Sequence, residues 1–346
     1  MTRDKGDEGR REALLFERSE DGSVRCSLCR HRCRILPGGR GLCHVRENNG
    51  GVLETLVYGM LVAGQVDPVE KKPLFHFLPG SRTYSIATVG CNFRCRHCQN
   101  HTIAQTEPDA DGQVPGQFLP PAEAVAAAVN SGSRSMSYTY TEPTIFFEYL
   151  LDTARLARGA GLRNVLVTNG YMTPEALDLV APFVDAANID LKGFDDSFYR
   201  RVTGARLDGV LECIRDYRRR NIWIEITSLI IPGENDSREQ LEGMAAFIAE
   251  ELGKDVPWHV SRFFPRYRMD DRPPTSPDTL VRAVEAGQRS GLRHIYVGNL
   301  AGGQEDTICP ECHAVLVRRE GFQVRENRLA EGSCIECGTI VPGVWR

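Results

Sequence analysis

The sequence has no run approaching the ~18–20 apolar residues needed to cross a bilayer, which excludes a helical membrane span. Its start, Met1 to Glu12, is charged and lacks the apolar stretch of a signal peptide. A basic excess is also missing. The net charge is −4 over 346 residues, which argues against nucleic acid or an anionic membrane as partner. Without an export signal the expected location is cytoplasmic. There, closely spaced cysteines serve as metal or cluster ligands rather than as a disulfide framework. Residues 1–13 are expected to form a disordered tail.

Cysteine is what the chain has in quantity. Eleven of its twelve cysteines fall in three groups, leaving Cys213 alone in a predicted helix, where it reads as a small buried hydrophobe. The central group is Gly90-Cys91-Asn92-Phe93-Arg94-Cys95-Arg96-His97-Cys98-Gln99-Asn100, a C-x3-C-x2-C loop. A closed zinc site or an ordinary cubane takes four protein ligands. Three thiolates can instead hold three irons of a [4Fe–4S] cluster and leave the fourth open. The competing reading is a zinc knuckle that borrows a distant fourth ligand.

The first group, Cys26, Cys29, Cys33 and Cys43, can close a site at C-x2-C-x3-C-x9-C. Zinc is the default for four cysteines and a second iron–sulfur cluster the alternative. A module this small lacks its own core, so the metal could supply folding energy. His31 is a candidate substitute ligand, but an exposed histidine among arginines is the simpler expectation. The last group pairs Cys309 and Cys312 with Cys334 and Cys337. Two C-x2-C knuckles at this separation read as a zinc ribbon, with rubredoxin-like iron as runner-up. Val315–Arg318 and Phe322–Arg325 would pair as its hairpin across Glu320-Gly321.

Between these groups strand and helix patterns alternate. Strands are predicted at 83–89, 135–140, 164–168, 184–190, 223–231, 258–264 and 294–297. Pro121 suits a first helical turn. Thr173-Pro174-Glu175 and Ser237-Arg238-Glu239-Gln240 read as helix starts. Repeated βα units imply parallel strands with right-handed crossovers. Their number suits an α/β fold of the incomplete (β/α)6 type, with active residues at the C-terminal strand ends. The expected domains are residues 14–82, an N-terminal four-cysteine module and strap; 83–302, the barrel; and 303–346, the ribbon. Leu53 to Val62 reads as one or two short strands. Asp67–Gly80 has too many prolines for a helix or central strand. It is read either as a lid over the barrel mouth or as a strap closing its bottom or open side.

The central triad, with His97 just before its last cysteine, resembles the radical SAM superfamily. Asp67-Pro68-Val69-Glu70-Lys71-Lys72-Pro73-Leu74-Phe75-His76-Phe77, Tyr140-Thr141-Glu142-Pro143-Thr144 and the outer cysteine modules together resemble the radical SAM member of the AmmeMemoRadiSam system. That branch lies close to the pyruvate formate-lyase activating enzymes. The resemblance covers nearly everything beyond about residue 14. It implies a radical SAM barrel whose Cys91, Cys95 and Cys98 carry a [4Fe–4S] cluster. The open iron chelates S-adenosylmethionine (SAM), and one electron yields methionine and a 5′-deoxyadenosyl radical. Thr141 and Glu142 correspond to the segment that binds the SAM ammonium. Asn169, Asn188, Asp190 and Lys192 are further cofactor contacts, with Lys192 pairing with the SAM carboxylate. The monovalent cation of some activating enzymes is not carried over, because Val167 stands where their aspartate is.

Candidate substrate-side residues are Glu70, Lys72, His76 and Arg262, while His259 reads as a satisfied strand residue. Implied partners are an unidentified substrate, an electron donor such as flavodoxin or ferredoxin, and Memo-type and AMMECR-type proteins. Two other readings stay open. One is an activase for a glycyl-radical enzyme, although residues 99–134 lack the extra cysteines some activases carry. The other is a non-catalytic zinc-binding adaptor, which the odd count of three central cysteines disfavours.

Overall fold

A computed structural model of the chain describes residues 9–109, 113–300 and 302–346. Contacts divide it into two compact units. One combines residues up to Asp67 with Arg82–Asp185, and the other combines Pro68–Ser81 with Ala186–Arg346. Residues 68–81, the expected strap, group with the second unit by their contacts. Residues 1–8 of the expected tail lie outside the described residues. Arg11–Glu12, by contrast, form a strand antiparallel to Glu54–Thr55, and Ala13 is buried.

The first unit carries parallel strands β1 (Arg82–Ala87), β2 (Ser135–Tyr138) and β3 (Arg163–Thr168), with Ser135 opposite both Thr83 and Arg163. Every residue of β2 is buried, as expected of a strand covered on both faces. Helices Pro121–Asn130 and Phe147–Gly159 follow β1 and β2 in the chain, and the Thr173 hydroxyl caps Pro174–Val180 by accepting from Ala176 N–H at 3.3 Å. The N-terminal module consists of short antiparallel pieces. It is fastened to helix 147–159 by Arg46, which meets Glu148 at 2.5 Å with both side chains buried. Removing one member of such a pair leaves an uncompensated buried charge.

The second unit carries parallel strands β4 (Ala186–Asp190), β5 (Trp223–Ile230), β6 (Trp258–Arg262) and β7 (Ile295–Gly298), side by side in chain order. Helices Leu207–Arg219, Arg238–Phe247 and Pro277–Arg289 alternate with them. Ser237 accepts from Gln240 N–H at the predicted start. Cys213 is fully buried in the first of these helices, as its apolar neighbours suggested. Val315–Glu320 pairs antiparallel with Gln323–Asn327, close to the predicted hairpin, around Gly321 at φ 59°. Among the described residues no helix is long and apolar enough to cross a membrane.

Candidate functional site

In the first unit the central cysteine loop leaves the C-terminal end of β1. Its entry depends on Gly90, at φ 98°, where a Cβ would come within 2.8 Å of Val45. The glycine therefore seats the loop against the N-terminal module. Cys95 is buried, Cys91 and Cys98 partly so. Desolvation, and then the charges of Cys95 and Glu142, push the Cys91 thiol well above its usual range. A thiol so placed loses its proton most readily when a metal takes the charge.

Asn169, just past β3, holds its amide nitrogen 2.8 Å from Asn92 Oδ1 and 3.9 Å from Cys91 Sγ. Its buried Oδ1 meets no donor among the described residues. Three thiols and an unsatisfied amide oxygen beside one of them fit a three-cysteine [4Fe–4S] cluster with a polar ligand next to it.

Glu142 departs from expectation. Its Oε1 accepts from the Thr144 N–H at 3.1 Å, the Thr144 hydroxyl at 2.5 Å and the Thr168 hydroxyl at 2.8 Å. Oε2 accepts from Asn169 N–H at 2.8 Å. The carboxylate is thus committed to the turn that begins Pro143–Phe146 and to fixing Asn169, rather than to an external ammonium. Desolvation raises its pKa, against the lowering effect of these donors. The Thr141 hydroxyl is likewise spent on Thr88 O at 2.8 Å.

Sequence reasoning missed Tyr140. It sits at φ 64°, a conformation costly for a bulky residue. Its hydroxyl donates to Asp67 and accepts from Gln65 at 2.6 Å. Burial and the bond to Asp67 push that hydroxyl up to about 12. Nothing in the sequence signals the left-handed backbone.

In the second unit the Lys192 ammonium donates to Asp190 Oδ2 at 2.7 Å at the C-terminal end of β4. Tyr199 OH accepts from Lys192 N–H at 2.9 Å, and Asn235 donates to Lys192 O at 2.7 Å, so the backbone is pinned as well. Asn188 is engaged elsewhere. It donates to Pro73 O at 2.7 Å and accepts from Thr227 Oγ1 at 2.9 Å, holding the strap rather than presenting a free amide. Arg262, at the end of β6, donates to Thr275 O at 2.8 Å and lies 5.0 Å over the Phe264 ring.

Glu70, Lys72 and His76 are all buried. The His76 ring donates from Nδ1 to Pro342 O at 2.8 Å, which leaves Nε2 to accept from Tyr296 OH at 2.6 Å. It stacks on Trp223, the first residue of β5, and lies 4.5 Å from His294, just before β7. Glu225 gathers the Phe75 and His76 N–H groups at 2.9 and 2.8 Å and His259 Nε2 at 2.7 Å. His259 is therefore the satisfied strand histidine its isolation suggested. Glu70 accepts from Gly80 N–H at 2.8 Å and faces Arg319 at 3.9 Å. Within this unit the segment binds the strand beginnings, whereas Asp190 and Lys192 stand at a strand end. This geometry is a strap's: Glu70, Lys72 and His76 are buried within the unit, and Glu70 and His76 bond to its own backbone and side chains.

The C-terminal cysteines converge, with all four sulfurs within 4.8 Å of one another. Cys309 and Cys337 lie 3.6 Å apart, as do Cys312 and Cys334. Metal–sulfur bonds of ~2.3 Å in a tetrahedron put sulfurs roughly 3.8 Å apart, so one ion fits. The Thr339 hydroxyl and N–H draw the Cys337 thiol down to about 6. Cys26, Cys29, Cys33 and Cys43 line one cavity beneath Arg46. His31 is not exposed. Its ring lies 4.9 Å from that of Tyr171 and donates from Nε2 to Asn92 O at 2.9 Å.

The model of the radical SAM superfamily matches residues 85–248. An uncharacterized protein of Methanocaldococcus jannaschii is 44% identical over 316 residues, covering 91% of this chain and 93% of that protein. The pyruvate formate-lyase-activating enzyme of Clostridium pasteurianum is 23% identical over 210 residues, covering 58% of this chain and 84% of the enzyme. Among solved structures, Streptococcus suis SuiB bound to S-adenosylmethionine matches with TM-score 0.49 at 16% identity, covering 66% of this chain and 52% of SuiB. The chain belongs to the radical SAM superfamily. Within it, the chain is a close homologue of the uncharacterized archaeal protein and a distant relative of the pyruvate formate-lyase-activating enzymes. Membership implies a [4Fe–4S] cluster and SAM as its cofactors, and the donor set at Cys91, Cys95 and Cys98 fits them.

Proposed function

We propose that the chain reductively cleaves SAM and abstracts hydrogen from a substrate yet to be identified. The observation that carries this reading is the three-cysteine loop at the end of β1 with Asn169 against Cys91. When bound, the cluster and SAM supply the chemistry: one electron breaks a carbon–sulfur bond, giving methionine and a 5′-deoxyadenosyl radical. The chain's own residues bind and orient. Cys91, Cys95 and Cys98 hold three irons. Asn169, set by Glu142, offers an amide to the SAM amino acid moiety. By resemblance alone, Lys192, held by Asp190, is assigned to the SAM carboxylate. Arg262, at the end of β6, is proposed as a substrate-side residue.

The C-terminal group is proposed to hold zinc in a closed structural site, with no position left for chemistry. Memo-type and AMMECR-type proteins are proposed partners by resemblance, and a flavodoxin or ferredoxin the electron donor. A second reading, activation of a glycyl-radical enzyme, draws on a putative glycyl-radical enzyme activating enzyme of Methanocaldococcus jannaschii, 27% identical over 183 residues. Anaerobic protein reduced with dithionite should convert SAM to 5′-deoxyadenosine, and Cys95→Ala should not. Equal cleavage by both would sink the assignment.

A further inference from the structure

The N-terminal cysteines differ from the C-terminal ones in spacing. Among the described residues, only Cys309, Cys312, Cys334 and Cys337 bring their sulfurs within 4.8 Å of one another. Cys26, Cys29, Cys33 and Cys43 form no such group, although all four line a common cavity. Besides the four cysteines, the cavity wall includes Leu28, Ile35, Leu42 and Ile145. A single zinc ion would need the sulfurs drawn to roughly 3.8 Å. Thiolates on different irons of a cluster are separated by the cluster itself and stand wider.

Two residues of the same wall carry a buried donor without an acceptor, which suits an anionic occupant. Arg46 is fully buried, and its Nε–H has no acceptor among the described residues although its terminal nitrogen is paired with Glu148. Asn92 also lines the cavity, and its Nδ2 likewise lacks an acceptor. Donors left unsatisfied beside four thiols are suited to the sulfurs of a cluster, which tune its potential by accepting hydrogen bonds. The backbone preorganises this set. Cys26 N–H donates to Cys33 O at 2.9 Å across the hairpin, and Cys29 is bridged to Met172.

From this geometry we infer that Cys26, Cys29, Cys33 and Cys43 hold a second [4Fe–4S] cluster, fully ligated, rather than a zinc ion. With no open iron it binds neither SAM nor substrate, and its work is electron transfer. A reduced one-electron carrier loses one electron to it, and the cluster passes that electron to the site at Cys91. The wall is shared with that site. Asn92, on the cavity, is chain neighbour to Cys91, and its carbonyl accepts from His31.

The test is metal and sulfide analysis of the full-length chain, reconstituted anaerobically with iron and sulfide, with electron paramagnetic resonance after reduction. The parent should hold about eight irons and eight sulfides and one zinc. The variant Cys91→Ala/Cys95→Ala/Cys98→Ala should retain about four of each, with a reduced-cluster signal, and lose SAM cleavage. Cys29→Ser should lose that second set while zinc stays at one. A parent with about four irons and two zincs overturns the inference, and so does a triple variant that keeps two zincs and no iron. Either result leaves the SAM-site reading standing, because that reading is tested separately, by whether variants of the Cys91 site still cleave SAM. Matching circular dichroism for all three proteins separates metal loss from unfolding.

Discussion

Arg319, on the C-terminal hairpin, lies with its guanidinium 4.2 Å over the ring of Phe75 and donates to the Phe75 carbonyl at 2.7 Å. The same side chain reaches Thr307 Oγ1 at 2.8 Å and faces Glu70 at 3.9 Å, and both charged groups are buried. The ribbon is therefore anchored in the core of the second unit, not appended to it.

Arg319→Ala should lower unfolding stability by about 3–5 kcal/mol, since it strands Glu70 without its countercharge. Removing everything after Gly302 should be worse, exposing His76 and Phe75 together. Urea denaturation followed by circular dichroism measures both. If the truncated chain stays as stable as the parent, the anchoring is of no energetic consequence.

Acid should weaken the second unit through its histidines. Desolvation depresses His294 to about 4 and His76 well below its ordinary value. A histidine whose folded pKa lies below its unfolded value contributes stability that is present above about 6.5 and lost as pH falls through the folded pKa. For His294 the window runs from about 6.5 down to about 4. Urea midpoints taken at steps across it should fall with pH, and His294→Leu should flatten the slope.

Glu142 and Lys192 should separate by phenotype. Lys192→Met is expected to keep the fold and the iron while weakening SAM binding roughly ten- to a hundredfold, the cost of one charge-assisted bond of about 1.5–3 kcal/mol. Glu142→Ala leaves the Asn169 and Thr144 N–H groups unsatisfied, which costs about 1–3 kcal/mol for each. Its melting temperature should drop before any SAM titration is attempted. Isothermal titration beside thermal melts distinguishes the two, and a fully stable Glu142→Ala with weak SAM binding would restore the direct contact read from sequence.

Cys337→Ser should release the C-terminal metal. Zinc per chain measured by plasma emission is expected to fall by one, with the iron content unchanged. Because the hairpin is anchored through Arg319, stability should fall as well. Loss of iron instead of zinc would assign this site to iron.

Much of the arrangement was legible in the chain. The strand–helix alternation follows from apolar runs flanked by Pro121, Thr173 and Ser237, which do start helices. Cysteine spacing marked all three clusters, and Asp190 and Lys192 share a face because strand residues alternate. Position within the fold was less visible. The Glu70–His76 segment carries charges that suggest a working surface, yet its partners, Arg319 and Pro342, lie far along the chain and no local pattern announces them. Glu142 looked like a free carboxylate because the hydroxyls that consume it belong to Thr144 and Thr168, one on another strand. Tyr140 and His31 were hidden for the same reason: backbone hand and aromatic packing are set by tertiary contacts.

The strap also orders events in time. His76 and Pro342 are 266 residues apart in the chain, and Phe77 bridges to Val344. During synthesis the chain through Asp185 can gather the first unit while 68–81 waits, a loop thrown out with Phe75 and Phe77 uncovered. Closing so long a separation is slow, and exposed aromatic surface in that interval invites aggregation. The second unit is completed last, by the segment around Val344 meeting one made near the beginning, so a ribosome that stalls within the final strands leaves a product whose strap lacks its Pro342 and Val344 partners.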